Sequence, residues 1–342
     1  MVGATIGAGV GPLEGLHGLV LDALVSVRMV TASGQLVTAS DDENGDLFWA
    51  VRGAGANFGI ITSATYRVHN HTNGGQAVNA DFIFPPAANV SLFEVLKSWD
   101  DDDVFPQNLG LEIAASFNHT SQLPNLDANF IFYGTQEAAQ PYLDKLIALN
   151  PLRYQNLTVG WNNLTNVAGF GHASGVCARG DYTTHYSLGA NRTDVATFSA
   201  FFDNFTAFSA ANPWFDGSFA LERYNTKAAL AVPESERGVY PWRDIKTLVI
   251  FENVYPNSSH DAAVAAFYGP VRRAFQAVSG FAVPHVYVNY GYGDEGPAAW
   301  YGAHNLPRLS ALKRKWDPRG YFGAGNPVPL SWEGEGEGAL IR

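Results

Sequence analysis

The stretch MVGATIGAGVGPLEGLHGLVLDAL, residues 1–24, decides the fold. Its first eighteen residues include six glycines. Because glycine has no Cβ, the backbone amides around Gly7, Gly9 and Gly11 can approach an anion closely, so a phosphate-binding loop is one interpretation. The dinucleotide fingerprint needs a strand before it and a helix after it, and only six residues precede Gly7. An ordinary glycine turn fits the spacing equally well.

Composition narrows the class of protein. Hydrophobic residues make up 46% of the 342 residues and charged residues 15%, with a net charge of −11. This is typical of a folded globular chain with an acidic surface, and it argues against nucleic acid or an anionic membrane as a partner. The longest apolar runs are too short for a transmembrane helix.

Cysteine and asparagine usage bear on the compartment. Cys177 is the only cysteine, which excludes an intramolecular disulfide. Asn-x-Ser/Thr sequons number eight where chance gives about 2.5, and they predict a secreted glycoprotein. Their asparagines are Asn70, Asn89, Asn118, Asn156, Asn163, Asn191, Asn204 and Asn257. A secreted chain needs a leader, so we expect a segment missing before Met1.

Apolar–polar alternation and turn-forming residues predict the secondary structure of the first domain. Residues 25–38 alternate apolar and polar side chains around a Ser-Gly turn, which predicts a β-hairpin. DDENGDLFWAVRG, residues 41–53, predicts a short helix, and residues 60–68 a strand. The polar linker 69–76 marks a domain boundary.

The middle of the chain predicts an α+β domain, a large antiparallel sheet with helices on one face. Expected strands lie at 79–84, 109–117, 127–133, 217–224, 246–254 and 284–290, and expected helices at 89–99, 136–149, 193–209, 260–279 and 304–315. The acidic, glycine-rich tail 331–342 is expected to be disordered.

Three aromatic and amide side chains near the end of the chain form a candidate site. On a strand, Tyr287 and Asn289 would share one face and Tyr290 would lie on the other, just before a glycine loop. A tyrosine beside a cation or hydrogen-bond donors can act as a base. Ordinary aromatic packing explains the same residues.

Other candidates are weaker. Gly59, Ile60 and Ile61 open a strand from a glycine loop, where either a ligand or a tight corner fits. His69 and His71 lack acidic or thiolate neighbours, so no metal site is expected. The acidic run 100–103 is expected to be a solvated loop rather than a calcium site.

The ends of the chain together resemble the berberine-bridge-enzyme-like FAD-linked oxidases. The matching stretches are GAGVGPLEGLHGLVLD at 7–22, VTASGQLVTASDDENGDLFWAVRGAGANFGIITSATYRV at 30–68, YVNY at 287–290 and WYGAHNLPRLSALKRKWDPRGYF at 300–322. The resemblance implies a partial PCMH-type FAD-binding domain at 1–70, a substrate domain at 77–285 with a large antiparallel sheet covered by helices, and a berberine-like element at 286–330 that returns to the FAD domain.

The resemblance also implies roles for individual residues. Gly7, Gly9 and Gly11 should approach the FAD diphosphate, and Gly59, Ile60 and Ile61 should line the adenine side. Tyr287 and Asn289 should lie near the flavin ring, and Tyr290 should be the catalytic base. His17 and Gly18 complete the expected FAD site, and the substrate pocket is expected around Glu222, Tyr224 and Glu252.

The implied activity is oxidation of an alcohol or sugar hydroxyl by hydride transfer to flavin N5, with dioxygen as acceptor. A secreted monomer acting on a small molecule is expected. The chain lacks the family's Arg-x-x-Gly-His loop and Gly-x-Cys motif, and both would belong to the missing segment. Two alternatives stay open: a flavin-free remnant that binds a sugar or a protein partner, and a dehydrogenase on the same fold.

Overall fold

A computed structural model describes residues 1–175 and 182–334. Cys177 and residues 335–342 of the expected disordered tail lie outside this range. The strands in the described part are β1 Leu24–Val30, β2 Leu36–Ser40, β3 Ile60–Tyr66, β4 Gln76–Phe84, β5 Leu109–Asn118, β6 Leu123–Phe132, β7 Arg153–Gly160, β8 Tyr182–Ala190, β9 Ser218–Arg223 and β10 Thr247–Tyr255.

Helices of very different length accompany these strands. In chain order they are α1 Val2–Gly7, α2 Glu14–His17, α3 Gly45–Ala54, α4 Asn89–Lys97, α5 Gln136–Ile147, α6 Leu164–Val167, α7 Val195–Ala211, α8 Lys227–Ala231, α9 Asp261–Val278, α10 Pro297–Tyr301 and α11 Leu306–Trp316. Among the residues described, no helix has the length and apolar character needed to cross a membrane.

The chain divides into two compact units. Unit 1 contains Met1–His69, Thr226–Ile245 and Val283–Arg342, and unit 2 contains Asn70–Asn225 and Lys246–Ala282. In unit 1, an antiparallel sheet in the order β2-β1-β3 shares a core with α3, α10 and α11. The predicted hairpin is therefore present as β1 and β2.

Residues 226–245 lie in unit 1, whereas the expected substrate domain at 77–285 included them. Buried hydrogen bonds explain the difference. The Arg243 guanidinium donates to both carboxylate oxygens of Asp22, at 2.9 and 2.6 Å. The Trp242 indole N–H donates to the carbonyl oxygen of Ala299 at 2.6 Å. Such pairs hold a segment in place over a long sequence separation.

Unit 2 is built on a seven-stranded sheet in the order β7-β4-β6-β5-β9-β10-β8, and every described neighbouring pair is antiparallel. One face is apolar and packs against α4, α5, α7 and α9. Val195 and the five phenylalanines at helical spacing in 193–209 belong to this layer. This architecture confirms the α+β prediction of a large antiparallel sheet covered by helices.

One predicted strand is absent from the structure, and two observed strands were not predicted. Residues 284–290 form no strand, because Val288–Tyr290 is a 3-10 turn in which the Tyr290 amide donates to the Tyr287 carbonyl at 2.8 Å. β7 and β8, the two edge strands of the large sheet, were not predicted from the sequence. Edge strands need not be apolar on both sides, so their polar sequences gave no clear signal.

Candidate functional site

The glycine turn and the Tyr287 corner meet in unit 1, although they lie at opposite ends of the sequence. The phenolic oxygen of Tyr287 accepts a hydrogen bond from the Gly9 amide at 3.2 Å and one from the Asn289 side-chain amide at 2.8 Å. The same Asn289 amide group donates to the Ala4 carbonyl at 3.1 Å. The structure therefore brings Gly9, Tyr287 and Asn289 into one cluster.

Two glycines of the turn are required by close packing. Gly9 has a φ of +77°, and a Cβ there would lie 2.4 Å from Cβ of Val20. A Cβ on Gly7 would lie 2.1 Å from the Oδ1 atom of Asn289. A side chain at position 9 would overlap Val20 at a positive φ, so Gly9 needs glycine, whereas a side chain at position 7 would displace Asn289 and break its described hydrogen bonds.

Gly11 differs, because no atom lies within 4 Å of the place where its Cβ would be. Within residues 1–175 and 182–334, the amides of Val10 and Gly11 have no hydrogen-bond acceptor. Half-buried amides beside open space suit an anionic group. This part of the turn can therefore accept a phosphate, whereas Gly7 and Gly9 have a structural role as well.

Tyr290 lies beside the cluster. Its ring packs edge-on against the Tyr287 ring with the centroids 5.0 Å apart. Tyr290 is half-buried, whereas Tyr287 is only 4% exposed. Tyr240 lies behind them, its ring 6.0 Å from that of Tyr287. Burial raises the pKa of Tyr240 well above its usual value, with Glu14 adding to the effect. Tyr290 is therefore more accessible to solvent than Tyr287 or Tyr240.

The remaining predicted FAD residues have local roles. A Cβ on Gly59 would lie 2.4 Å from the Val30 carbonyl oxygen, so the β1–β3 pairing itself requires this glycine. Ile60 is 62% exposed and Ile61 is half-buried at the start of β3. No described hydrogen bond connects these three residues to the Tyr287 corner.

His17 and Gly18 end α2. The His17 ring stacks on His69 with the centroids 4.1 Å apart, and burial, followed by the nearby His69, lowers the pKa of His17. Gly18 has a φ of +77°, and a Cβ there would lie 2.9 Å from Oδ2 of Asp22. That carboxylate is paired with Arg243, so Gly18 gives room to a buried ion pair.

The packing of Gly7 gives a direct test of this corner. We expect Gly7→Ala to destabilise unit 1 by about 1–3 kcal/mol, because the new methyl group overlaps the Asn289 side chain. Gly7→Ala combined with Asn289→Gly should recover part of the loss. Chemical denaturation of the four chains of this cycle measures the coupling. Purely additive effects would contradict the described contact.

Unit 2 contains a cavity of about 530 Å³ on the polar face of the large sheet. Its polar and charged lining residues are Asp81, Glu112, Ser116, Asn125, Asp127, Asn129, Arg153 and His172. Phe170 and Ile83 contribute apolar surface. A concave site with a few convergent polar groups is the usual form of a small-molecule binding site.

Asp81 holds one wall of the cavity in place. Its carboxylate accepts hydrogen bonds from the Asn79 amide at 2.9 Å, the Asn129 amide at 2.6 Å and the Gly169 backbone amide at 2.8 Å. The last bond fixes the chain that follows α6 against β4. Asp81 is thus fully engaged in building the site.

Glu112 and Asp127 differ from Asp81. Burial raises the pKa of Glu112, and Glu252 adds to the effect. Burial raises the pKa of Asp127 to about 6, opposed by His172. The Arg153 guanidinium lies 4.0 Å from the Phe170 ring centroid rather than in an ion pair. Glu112 is exposed at the cavity, whereas Asp127 is half-buried, so the charge of Asp127 in particular is held at an energetic cost, which is a property of functional sites.

A pattern in the sequence could have identified the polar residues that line the cavity: polar and buried residues alternate along the strand. Asn125, Asp127 and Asn129 alternate with buried residues along β6, and Asp81 occupies the equivalent place on β4. The expected pocket around Glu222, Tyr224 and Glu252 lies on neighbouring strands, because Glu222 pairs with Glu112 in the β5–β9 register. None of these three residues lines the described cavity.

The acidic run 100–103 anchors neighbouring segments. Asp100 accepts hydrogen bonds from the amide and hydroxyl of Thr193 at 2.7 and 2.8 Å. Arg223, fully buried, donates to the Trp99 carbonyl, and burial lowers its pKa to about 10. Among the described residues no group of three metal-ligating side chains comes together.

The raised pKa of Asp127 has a consequence for stability. Between its ordinary value of 3.8 and about 6, the folded chain binds more protons than the unfolded one. This residue's contribution to stability therefore falls as pH rises through that window. Among the described residues of the cavity, the other charged or titratable groups are Asp81, Glu112, Arg153 and His172.

We therefore expect Asp127→Asn to stabilise the chain by about 1–2 kcal/mol near pH 7.5, after allowance for solvent screening. Near pH 3.5 the two chains should be about equally stable. Denaturant titration at both pH values measures the difference. A variant that is less stable near neutral pH would contradict the described burial of this carboxylate.

The family model described as Berberine and berberine like matches residues 286–329. The chain is 52% identical to the FAD-linked oxidoreductase tazL of Aspergillus terreus over 97% of its own length and 67% of the relative. It is 50% identical to the FAD-linked oxidoreductase fmqD of Aspergillus fumigatus over 96% and 65%.

Solved structures show the same fold. Physcomitrella patens BBE-like 1 has a TM-score of 0.78 at 21% identity, covering 97% of this chain and 70% of that one. The Acremonium strictum glucooligosaccharide oxidase has a TM-score of 0.78 at 21% identity, covering 96% and 70%. The chain belongs to the berberine-bridge-enzyme-like family of FAD-linked oxidoreductases, and it spans about two thirds of the length of the curated relatives.

FAD is the cofactor of this family, and one part of unit 1 fits it. In the described part of the chain the Val10 and Gly11 amides have no acceptor, so they would be donors for a diphosphate, and the open space at Gly11 would leave room for it. Gly7, Gly9 and Gly59 would be glycine even without a cofactor, because protein atoms fill the space beside them.

Proposed function

We propose that the chain is part of an FAD-dependent oxidoreductase that oxidises an alcohol, such as a sugar hydroxyl, with dioxygen as the electron acceptor. The observation that carries this proposal is the cluster in which Tyr287 links the Gly9 amide to Asn289. Family membership supports FAD as the cofactor, and the Val10 and Gly11 amides are the groups that would bind its diphosphate.

Bound FAD would accept a hydride from the substrate carbon and pass the electrons to dioxygen. The chain's own residues prepare the substrate hydroxyl. Tyr290 is the proposed base that removes its proton, since it lies half-buried at the corner with its ring against Tyr287. Tyr287 and Asn289 are positioning residues, because their hydrogen bonds fix the corner against the glycine turn.

The test supplies the 342-residue chain with FAD and offers sugars and primary alcohols in air. We expect substrate-dependent formation of hydrogen peroxide with equal consumption of dioxygen. Flavin reduction without peroxide would favour the dehydrogenase alternative. A chain that is folded by circular dichroism but retains no flavin would favour the flavin-free binding protein and overturn the proposal.

We also propose that the protein is a secreted, monomeric glycoprotein. The sequon asparagines all lie within the ranges of unit 2, and Asn204 and Asn257 are exposed. Asn89, in contrast, accepts a hydrogen bond from Ser199 at 2.6 Å. Secretion by a fungal host should give a chain whose mass falls on treatment with an N-glycosidase, with occupancy at Asn204 and Asn257 and little at Asn89. Recovery of an unmodified chain would contradict this.

A further inference from the structure

Two carboxylates in the unit 2 cavity have no hydrogen-bond donor among the described residues. These are Glu112 on β5 and Asp127 on β6. The two strands are neighbours, and both residues lie on the polar face of the sheet. Asp81, in the same cavity, accepts three hydrogen bonds. The contrast separates a carboxylate that builds the wall from two that face the open volume.

The charges around the cavity do not balance these two carboxylates. Among the described residues that line the cavity, Arg153 is the only arginine or lysine, and its guanidinium lies over Phe170, while His172 is the one histidine. In the sheet register Arg153 is opposite Ile83, which in turn is opposite Asp127, so one whole strand separates the two charged residues. Strand spacing puts their backbones about 9–10 Å apart. Glu222, opposite Glu112, adds a further acid on the same face.

We propose that this cavity binds an organic substrate that carries a basic nitrogen, whose protonated form lies between Glu112 and Asp127. The inference rests on the proposed function, since it adds a recognition group to the alcohol that is oxidised. The cavity's apolar surface, from Phe170 and Ile83, would contact the body of such a molecule.

A protonated amine fits this lining better than a neutral polyol does. Hydroxyl groups can donate to both carboxylates, but they leave the two negative charges in place. An ammonium group offsets the repulsion among the acids of this face and supplies donors at the same time. An anionic ligand would meet the two carboxylates, with Arg153 and His172 as the basic side chains of the described lining.

The experiment compares two ligands of nearly equal size that differ in charge. Tryptamine carries an ammonium group and tryptophol a hydroxyl in its place. In isothermal titration of the 342-residue chain near neutral pH, we expect tryptamine to bind at least about tenfold more tightly than tryptophol. Asp127→Asn and Glu112→Gln should each weaken tryptamine binding by about tenfold and leave tryptophol binding unchanged.

Glu137→Gln is the matched control, because it removes one exposed negative charge on α5, whose apolar side packs on the opposite face of the sheet. Its affinity for tryptamine should equal that of the parent chain. Equal binding of both ligands, an equal loss in Glu137→Gln, or binding of cellobiose but not of tryptamine would each overturn the proposal. The titration needs no flavin turnover. If the chain failed to bind FAD, the proposed activity would be contradicted, but tryptamine binding could still be measured.

Discussion

Replacing Lys313 with methionine is expected to lower the free energy of unfolding by about 3–5 kcal/mol, the largest effect on stability that we predict. Lys313 lies on α11 and is 2% exposed. Its ammonium group donates to the Asp317 carboxylate at 2.6 Å, the Asn57 carbonyl at 2.8 Å and the Phe322 carbonyl at 2.8 Å. Methionine fills a similar volume but supplies none of these donors.

The cost is large because Asp317 is fully buried and would lose its cation. The amides of Tyr321 and Phe322 also donate to it, at 2.9 Å each, and they cannot neutralise its charge. This ion pair and Asn57, whose Oδ1 accepts from the Val328 amide at 2.8 Å, connect the berberine-like segment to the loop before β3. Loss of the ion pair should therefore loosen both the berberine-like segment and the loop before β3.

Lys315→Met is the matched control on the same helix. Lys315 pairs with Asp46 at 2.7 Å, but its side chain is 56% exposed, so its loss should cost less than about 1 kcal/mol. Urea denaturation of the two variants measures both values. Similar effects at positions 313 and 315 would contradict the view that burial makes the Lys313–Asp317 pair decisive.

Tyr290→Phe is expected to lower kcat of the flavin-loaded enzyme by about 10²–10⁴-fold, the usual contribution of a general base. The phenylalanine keeps the edge-on ring contact with Tyr287, centred 5.0 Å away, so folding and flavin content should not change. Since only the hydroxyl is removed, KM should change little. Steady-state kinetics together with the flavin absorbance of each preparation separate the two effects.

Tyr321→Phe is the control for this substitution, because Tyr321 is 62% exposed and distant in sequence from the corner. Its kcat should equal that of the parent. If Tyr290→Phe kept full activity, the assignment of the base to Tyr290 would fail. The hydrogen bonds of the Tyr287 phenol with Gly9 and Asn289 would then make Tyr287 the next residue to substitute.

Local patterns in the sequence were enough to predict most of the fold. The β1–β2 hairpin has clear alternation and a Ser-Gly turn, and α7 has phenylalanines at helical spacing. Both patterns reflect burial of one face, which tertiary structure preserves. The resemblance joined the two ends of the chain, and the hydrogen bond between Gly9 and Tyr287 shows that they meet.

Other features depend on contacts that a local pattern does not contain. VYVNY, residues 286–290, alternates like a strand, yet a turn forms and no strand pairs with it. Residues 226–245 follow unit 2 in sequence, but Arg243 finds its partner at Asp22, a contact over more than two hundred positions. Long-range pairs of this kind determine which segments belong to one unit. The periodicity of a local stretch of sequence contains no information about them.

The candidate site was predictable in part. The glycine turn and the Tyr287 corner were identified, but Gly7 and Gly9 prove to be required by Asn289 and Val20 as well. The cavity in unit 2 went unrecognised, because it forms only when β4, β5, β6 and β7 lie side by side. The polar positions that line it are separated by up to about ninety residues in the chain.

Flavin fluorescence of the parent chain, Gly11→Val and Gly3→Val measures their affinity for FAD, and so tests whether the glycine turn binds the cofactor. Neither glycine has an atom within 4 Å of its Cβ position, so both variants should fold. We predict that the parent and Gly3→Val bind FAD equally, and that Gly11→Val binds at least about tenfold more weakly because the new side chain occupies the diphosphate's place. Equal binding by all three chains, or binding by none, would contradict this prediction.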